Sequence, residues 1–400
     1  MVQIAARMAD NEYVMNRLFA PCLLALLLLP PVISHAEDLI AAPKWAALPD
    51  MPVGVLAASV SHIGDKVIIT GGIHQLGSAL NKAQIFDLRE RKWLEPMKLA
   101  TGRMLHAQVA LDDSRILLVG GQTGTVKPLG DGLTATASCE ILDLRTGISK
   151  EIAPLPRAVA EPTAHRLPDG RAIVIGGESA LIFDPKTNKW AKGIGLRDDR
   201  LAHASAVLAD GRVIVIGGLS RHTMEIIDPV AGTSKELSAQ LPHELDDTRI
   251  AVLPGNRVWI IGGQHSKTGL TVEQTWILDL NDPRKSTLTA GPKLDLPKGM
   301  ADMSIVQVGP YIIVAGGESE FSGGDVELHT ARLLDTRTLT VRKLPDSAHP
   351  HDDAVAIATE RGIIIFGGFV ETKMTLPFSG STKQFSVPQA VVAVEELLIK

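Results

Sequence analysis

The chain is poor in cysteine, in aromatics and in clustered positive charge. Two cysteines, Cys22 and Cys139, occur in 400 residues. Cys22 lies in an N-terminal apolar run, so the remainder has one cysteine and no internal disulfide, and packing must hold the fold together. Cys139, inside the run SCEILDL, reads as a small buried hydrophobe rather than a nucleophile. Aromatics make up 4% of residues, and tyrosine occurs only as Tyr13 and Tyr311. The net charge is −5 with no basic block, which argues against a nucleic-acid partner. No apolar run reaches the ~20 residues of a membrane span. A nucleophile elbow, an HExxH zinc motif and a phosphate loop are all missing.

The N-terminus carries a leader pattern. From Met15 the chain reads MNRLFAPCLLALLLLPPVISHAED. Arg17 supplies the charged start, Leu18 to Leu29 the apolar stretch, and Ser34-His35-Ala36 a small-x-small cleavage site. Pro30-Pro31 interrupts the run, which counts against an anchor. Residues 1–36 are expected to be a signal peptide with its true start at Met15, and residues 37–400 a single domain. The expected location is the periplasm or outside the cell.

What the sequence has in abundance is repetition. RMLHAQVALDDSRILLVGG (Arg103–Gly121) and RLAHASAVLADGRVIVIGG (Arg200–Gly218) are two copies of one phrase. Gly-Gly doublets recur at 71–72, 120–121, 176–177, 217–218, 262–263, 316–317 and 367–368. Each ends an apolar run such as VIIT, ILLV or VIVI, preceded by a turn signal and a further apolar stretch, which reads as a hairpin. A third strand then ends in an acid, as in QIFDL (Asp87), EILDL (Asp143) and LIFDP (Asp184). A weaker fourth strand often carries Trp, as at Trp93 and Trp190. Apolar residues at successive positions of the second strand fit a sheet buried on both faces. Four antiparallel strands per ~50 residues, repeated, predict an all-β propeller.

The sequence of apolar run, Gly-Gly, third-strand acid and Trp resembles the kelch repeat, over nearly all of the chain after the leader. The fold expected is a seven-bladed kelch-type β-propeller. Phe86 and Phe183 alone supply the aromatic usual before the third-strand acid, and several units lack Trp. The last unit ends without a fourth strand, while APKWAALPDMP near the N-terminus is an orphan one. The N-terminal strand is therefore expected to complete the last blade and close the ring. Six complete blades with a frayed seventh is the alternative.

Comparing blades locates a candidate site. Fourteen residues before each first glycine stand Ala57, His106, Pro162, His203, Thr248, Asp302 and Asp353. Arg103 and Arg200 repeat three residues earlier than the two histidines, and Glu161, Asp247 and Asp352 are neighbours. One end of the central channel is thus expected to be ringed by His, Arg and carboxylates, suited to a polar ligand, a metal or acid–base chemistry. The competing expectation is that the Arg-x-x-His phrase, being repeated, is framework. The loops after the doublets of blades 6 and 7 add Glu318, Glu320 and Asp325, the HPHDD stretch with His349 and His351, and the aromatics Phe321, Phe369, Phe378 and Phe385. Ligand-binding candidates are Arg103, His106, Arg200, His203, Asp302, Glu318 and Asp353. No catalytic residue, metal or cofactor is assigned.

Two function classes follow. The first is a monomeric binding module for a glycan, a small polar ligand or a protein partner, engaged at the channel mouth. The second is an enzyme. The chain's resemblance to galactose oxidase-like copper enzymes would imply two tyrosine ligands, and Tyr311 is the one tyrosine left after the leader. Exported sialic acid mutarotases are also similar in carrying Arg, His and Glu at the mouth, although they are generally six-bladed. A carboxylate ligand would suit the arginines and a cation or hydroxyl-rich ligand the acids.

Overall fold

The computed structural model describes residues 42–399, apart from residues 75–76, 128–129, 283–284 and 379–380. Residues 1–36, where a leader is expected, lie outside the described residues, and so do the side chains of Phe378 and Phe385. Every regular element among the described residues is a strand.

Seven four-stranded antiparallel sheets follow one another along the chain. Blade 1 is Ser59–Ile63, Lys66–Thr70, Lys82–Asp87 and Lys92–Lys98 in that order. The first strands of consecutive blades neighbour one another all the way round, with blade 7 meeting blade 1. Blade 7 draws its outer strand from the other end of the chain. Lys44–Leu48 pairs antiparallel with Val394–Leu398, which pairs with Gly362–Phe366. Ring closure thus comes from the N-terminal strand, as the sequence implies.

The core is divided among the seven interfaces between blades. Val67 and Ile69 pack toward Ile364 and Phe366 of blade 7, while Ile68 between them packs toward Ile116 and Leu118 of blade 2. Alternation along a strand sends successive side chains to opposite faces. Both faces here are dry, so every position must be apolar, and each buried Ile or Leu contributes roughly 1.5–3 kcal/mol. Three tryptophans tie their blades to the preceding ones. Trp45, Trp93 and Trp190 donate their indole N–H to the carbonyls of Pro345, Pro49 and Ala153, in the crossing segments that lead into their blades.

The doublets are the joints between blades. Gly72 N–H donates to the carbonyl of Arg103 in blade 2, and Gly368 N–H closes the series on Val55 of blade 1. The preceding glycine makes room for that carbonyl. A Cβ on Gly71, where φ is +62°, would stand 2.1 Å from the Arg103 oxygen. The doublets are therefore structural, as their lack of a following helix suggests.

Candidate functional site

Just before each first strand the chain turns a corner through the left-handed region. Ala57, Leu105, Glu161, Ala202, Asp247, Asp302 and Asp353 occupy these corners, with φ between 50° and 55°. This is the true ring of equivalent positions. The count of fourteen back from the glycine holds in blades 1, 6 and 7 but lands one residue late in blades 2 to 5. The first hairpin explains the slip. Ile63 pairs with Lys66 across a two-residue turn, whereas Ala110↔Ile116 and Arg166↔Ala172 leave a three-residue turn beyond one further pair. Asp302 and Asp353 keep their predicted place. Glu161 and Asp247 move from neighbours into the ring, and His106 and His203 move out of it.

The corner residues line a cavity of about 460 Å³ at the end of the channel. Three corners are apolar (Ala57, Leu105, Ala202) and four are acidic. Arg249, at the start of blade 5's first strand, turns into this acidic group and bonds Asp302 Oδ1 from Nη2 at 3.2 Å. Glu318 stands on the hairpin above blade 6 and accepts from Gln264 Nε2 at 2.9 Å. Burial raises Glu161 to about 7, with Asp247's charge adding to the effect. Burial and the charge of Asp302 bring Asp247 to about 7. Asp302 is raised by burial and by Asp353, against the pull of Arg249. For Asp353 burial again leads, Arg249 opposes it, and Asp247 and Glu161 push upward. Burial, then Asp302 and Glu320, lift Glu318 to about 8. Desolvation and mutual repulsion are therefore only partly relieved by the guanidinium.

The other predicted residues are built into the wall. His106 and His203 border the cavity, but their Nε2 atoms bond the hydroxyls of Thr70 and Thr163 in the preceding blades, at 2.8 and 2.9 Å. Burial holds both rings neutral, His203 at about 3. Arg103 and Arg200 are fully buried and do not reach the cavity. Arg103 donates to Gly120 O and Ser138 O from Nη1, and to Ser138 Oγ and Glu140 Oε1 (2.8 Å) from Nη2. Arg200 does the same with Gly217 O, Thr223 O and Glu225 Oε1 (2.6 Å). His351 occupies their equivalent position in blade 7, with Nδ1 on Gly367 O at 2.8 Å and Nε2 on Glu395 at 3.0 Å. The ring thus bridges the doublet carbonyl and the third-strand glutamate, as the guanidinium does in blades 2 and 4. His349, half-exposed, shares Glu395.

Arg249 is the residue that sequence reasoning missed. Its signal was the run Asp246-Asp247-Thr248-Arg249, where a lone cation follows two acids at the blade entrance. Among the described residues no group of three or more His, Cys, Asp or Glu is placed to hold a metal ion. The acids surround the mouth rather than converge on one point.

No family model matches the chain. Human Kelch-like protein 38 is 25% identical over 267 residues, covering 63% of this chain and 43% of that protein. A kelch repeat-containing protein of Arabidopsis thaliana is 26% identical over 153 residues, 37% of this chain and 34% of that protein. The chain thus spans less than half the length of these curated relatives. Among solved structures, a fungal alcohol oxidase of the AA5 family in complex with copper superposes with a TM-score of 0.65 at 14% identity, over 89% of this chain and 76% of that one. That likeness concerns the fold. The donors here do not fit a copper–tyrosine site. Tyr311 begins the second strand of blade 6, at the far end from the doublet, and is buried with its hydroxyl accepting from Arg337 at 3.2 Å. Repeat and closed ring make this chain a kelch-type β-propeller, similar in its repeats to these kelch proteins.

Proposed function

We propose that the chain is a binding module whose ligand site is the channel mouth, and that the mouth recognises a positively charged group. The observation that carries this reading is the ring itself. All seven corners share one backbone conformation, so the framework requires no acid there, yet four corners carry carboxylates with one guanidinium among them. A cation entering the cavity would relieve repulsion that the protein leaves standing. The spread of the acids suits an organic cation better than a bare metal ion. Sialic acid is a poor match, because the arginines that would receive its carboxylate are fully engaged behind the wall. We also propose that residues 1–36 are a cleaved leader, which would place the module in the periplasm or outside the cell.

Thermal denaturation at pH 8 tests the mouth. Ethylamine, arginine, spermidine, neutral sugars, sialic acid and divalent metals are added in turn. A ligand at 100 times its Kd stabilises by about 2.7 kcal/mol. Organic cations should raise the melting temperature, and the double variant Asp302→Asn/Asp353→Asn should lose the effect. Stabilisation by sialic acid or neutral sugars, with none from cations, would overturn the reading. For the leader, intact mass of exported protein should correspond to a start at Glu37.

A further inference from the structure

The mouth has two unlike halves. Its acidic half is formed by blades 3 and 5 to 7. Beside it, blades 1 and 2 build a small apolar cluster of Leu56, Ile73 and Met104, all buried, with Leu105, Leu133 and Phe369 partly exposed against it. Leu105 and Ala57 of this cluster also line the cavity. The two halves meet at blade 7. There Phe369, on the apolar side, bridges in the backbone to Asp352. Asp352 is 1% exposed, and its Oδ1 has no hydrogen-bond partner. The charges around it are Asp353, Glu318 and Asp302. This unpartnered carboxyl oxygen, buried just behind the mouth, adds to the surplus of carboxyl groups gathered at blades 6 and 7.

We infer that the mouth binds a small amphipathic amine, its ammonium among Asp247, Asp302 and Asp353 and its apolar body against Leu105 and Ala57. This rests on the cation-binding reading above and adds the chemical class of the ligand. Charge complementarity selects the head. A neutral or anionic head would leave the carboxylates facing one another, while a polar body would leave the blade 1–2 cluster wet. The cavity volume lies in the range of small-molecule sites, roughly 300–1,000 Å³.

Titration calorimetry at pH 8 with 1-hexylamine, ethylamine and hexanoate tests this. Each methylene buried should tighten binding about fourfold, so hexylamine should bind more than tenfold tighter than ethylamine, and hexanoate should not bind. Leu105→Asn should weaken hexylamine about tenfold and leave ethylamine unchanged. Asn is at home at positive φ, so the corner should survive the exchange. Asp353→Asn should weaken both amines alike. Equal affinities for the two amines, or hexylamine binding indifferent to Leu105→Asn, would overturn the inference while the cation reading stood. Absence of binding by either amine would overturn both.

Discussion

Two sets of charge lie close behind and at the channel mouth and behave oppositely. The inner rungs, Arg103–Glu140, Arg200–Glu225 and His351–Glu395, are closed systems. Glu140 accepts from Arg103, from the amides of Ala100 and Thr101 and from the Ser149 hydroxyl. At Glu395 burial would raise the carboxyl, but His351 and the amides of Ala348 and His349 outweigh it and hold the group at about 2. The mouth carboxylates are half-buried, yet they have one another for neighbours and Arg249 as their cation. Balanced charge, repeated from blade to blade, is scaffold. Unbalanced charge that breaks the repeat marks the site. The arginines most eye-catching in the repeated phrase therefore belong to the first set.

The sharpest way to test the scaffold side is to open the ring. Deleting residues 42–49 removes the partner of Val394–Leu398 and exposes that strand's edge. The variant should aggregate on expression or melt far below the parent, as scanning calorimetry would show. Next in size, Arg200→Met leaves Glu225 buried without its cation, and chemical denaturation should show a loss of about 3–5 kcal/mol. The smallest effect belongs to the histidines. His106→Gln should cost only about 1 kcal/mol, the size of one hydrogen bond to Thr70. Because His106 stays neutral in the fold while an unfolded histidine takes up a proton below about pH 6.5, that loss should be seen at pH 8 and should shrink or reverse at pH 5. If His106→Gln abolished cation binding while leaving stability intact, the histidine would belong to the site after all.

Much of this molecule is legible in its sequence. The doublets, the dry second strands and the orphan strand around Trp45 predict the blades and their closure, because each reflects a local demand: room for a carbonyl, two dry faces, an unpaired edge. The site is less legible for an equally specific reason. A one-residue difference in hairpin turns shifts the ring register in blades 2 to 5, which hid Leu105 and Ala202 as its apolar members and put histidines in their place. Arg249 was hidden because its role depends on side chains from Asp302 and Asp353, more than fifty residues away. Arg103 could be read either as mouth or as framework until its partners Gly120 and Glu140 were in view.

The most direct test of the central claim, that the mouth holds unrelieved negative charge, needs no ligand. Its carboxyls have native pKa values raised above their unfolded values of about 4, so between roughly pH 4 and 8 these groups bind more protons in the native state than in the unfolded one. Their contribution to stability must then fall as pH rises through that window, whereas the buried neutral histidines His106, His165 and His203 act in the opposite sense below about pH 6.5. Urea denaturation of the parent and of Asp302→Asn/Asp353→Asn should be followed from pH 5 to pH 8. Above about pH 6.5 the parent should lose stability with rising pH. The double variant should lose less and be the more stable protein at pH 8, by about 1–3 kcal/mol. Parallel curves, or a variant less stable than the parent at pH 8, would show that these aspartates are balanced like the rungs and that the mouth carries no surplus charge.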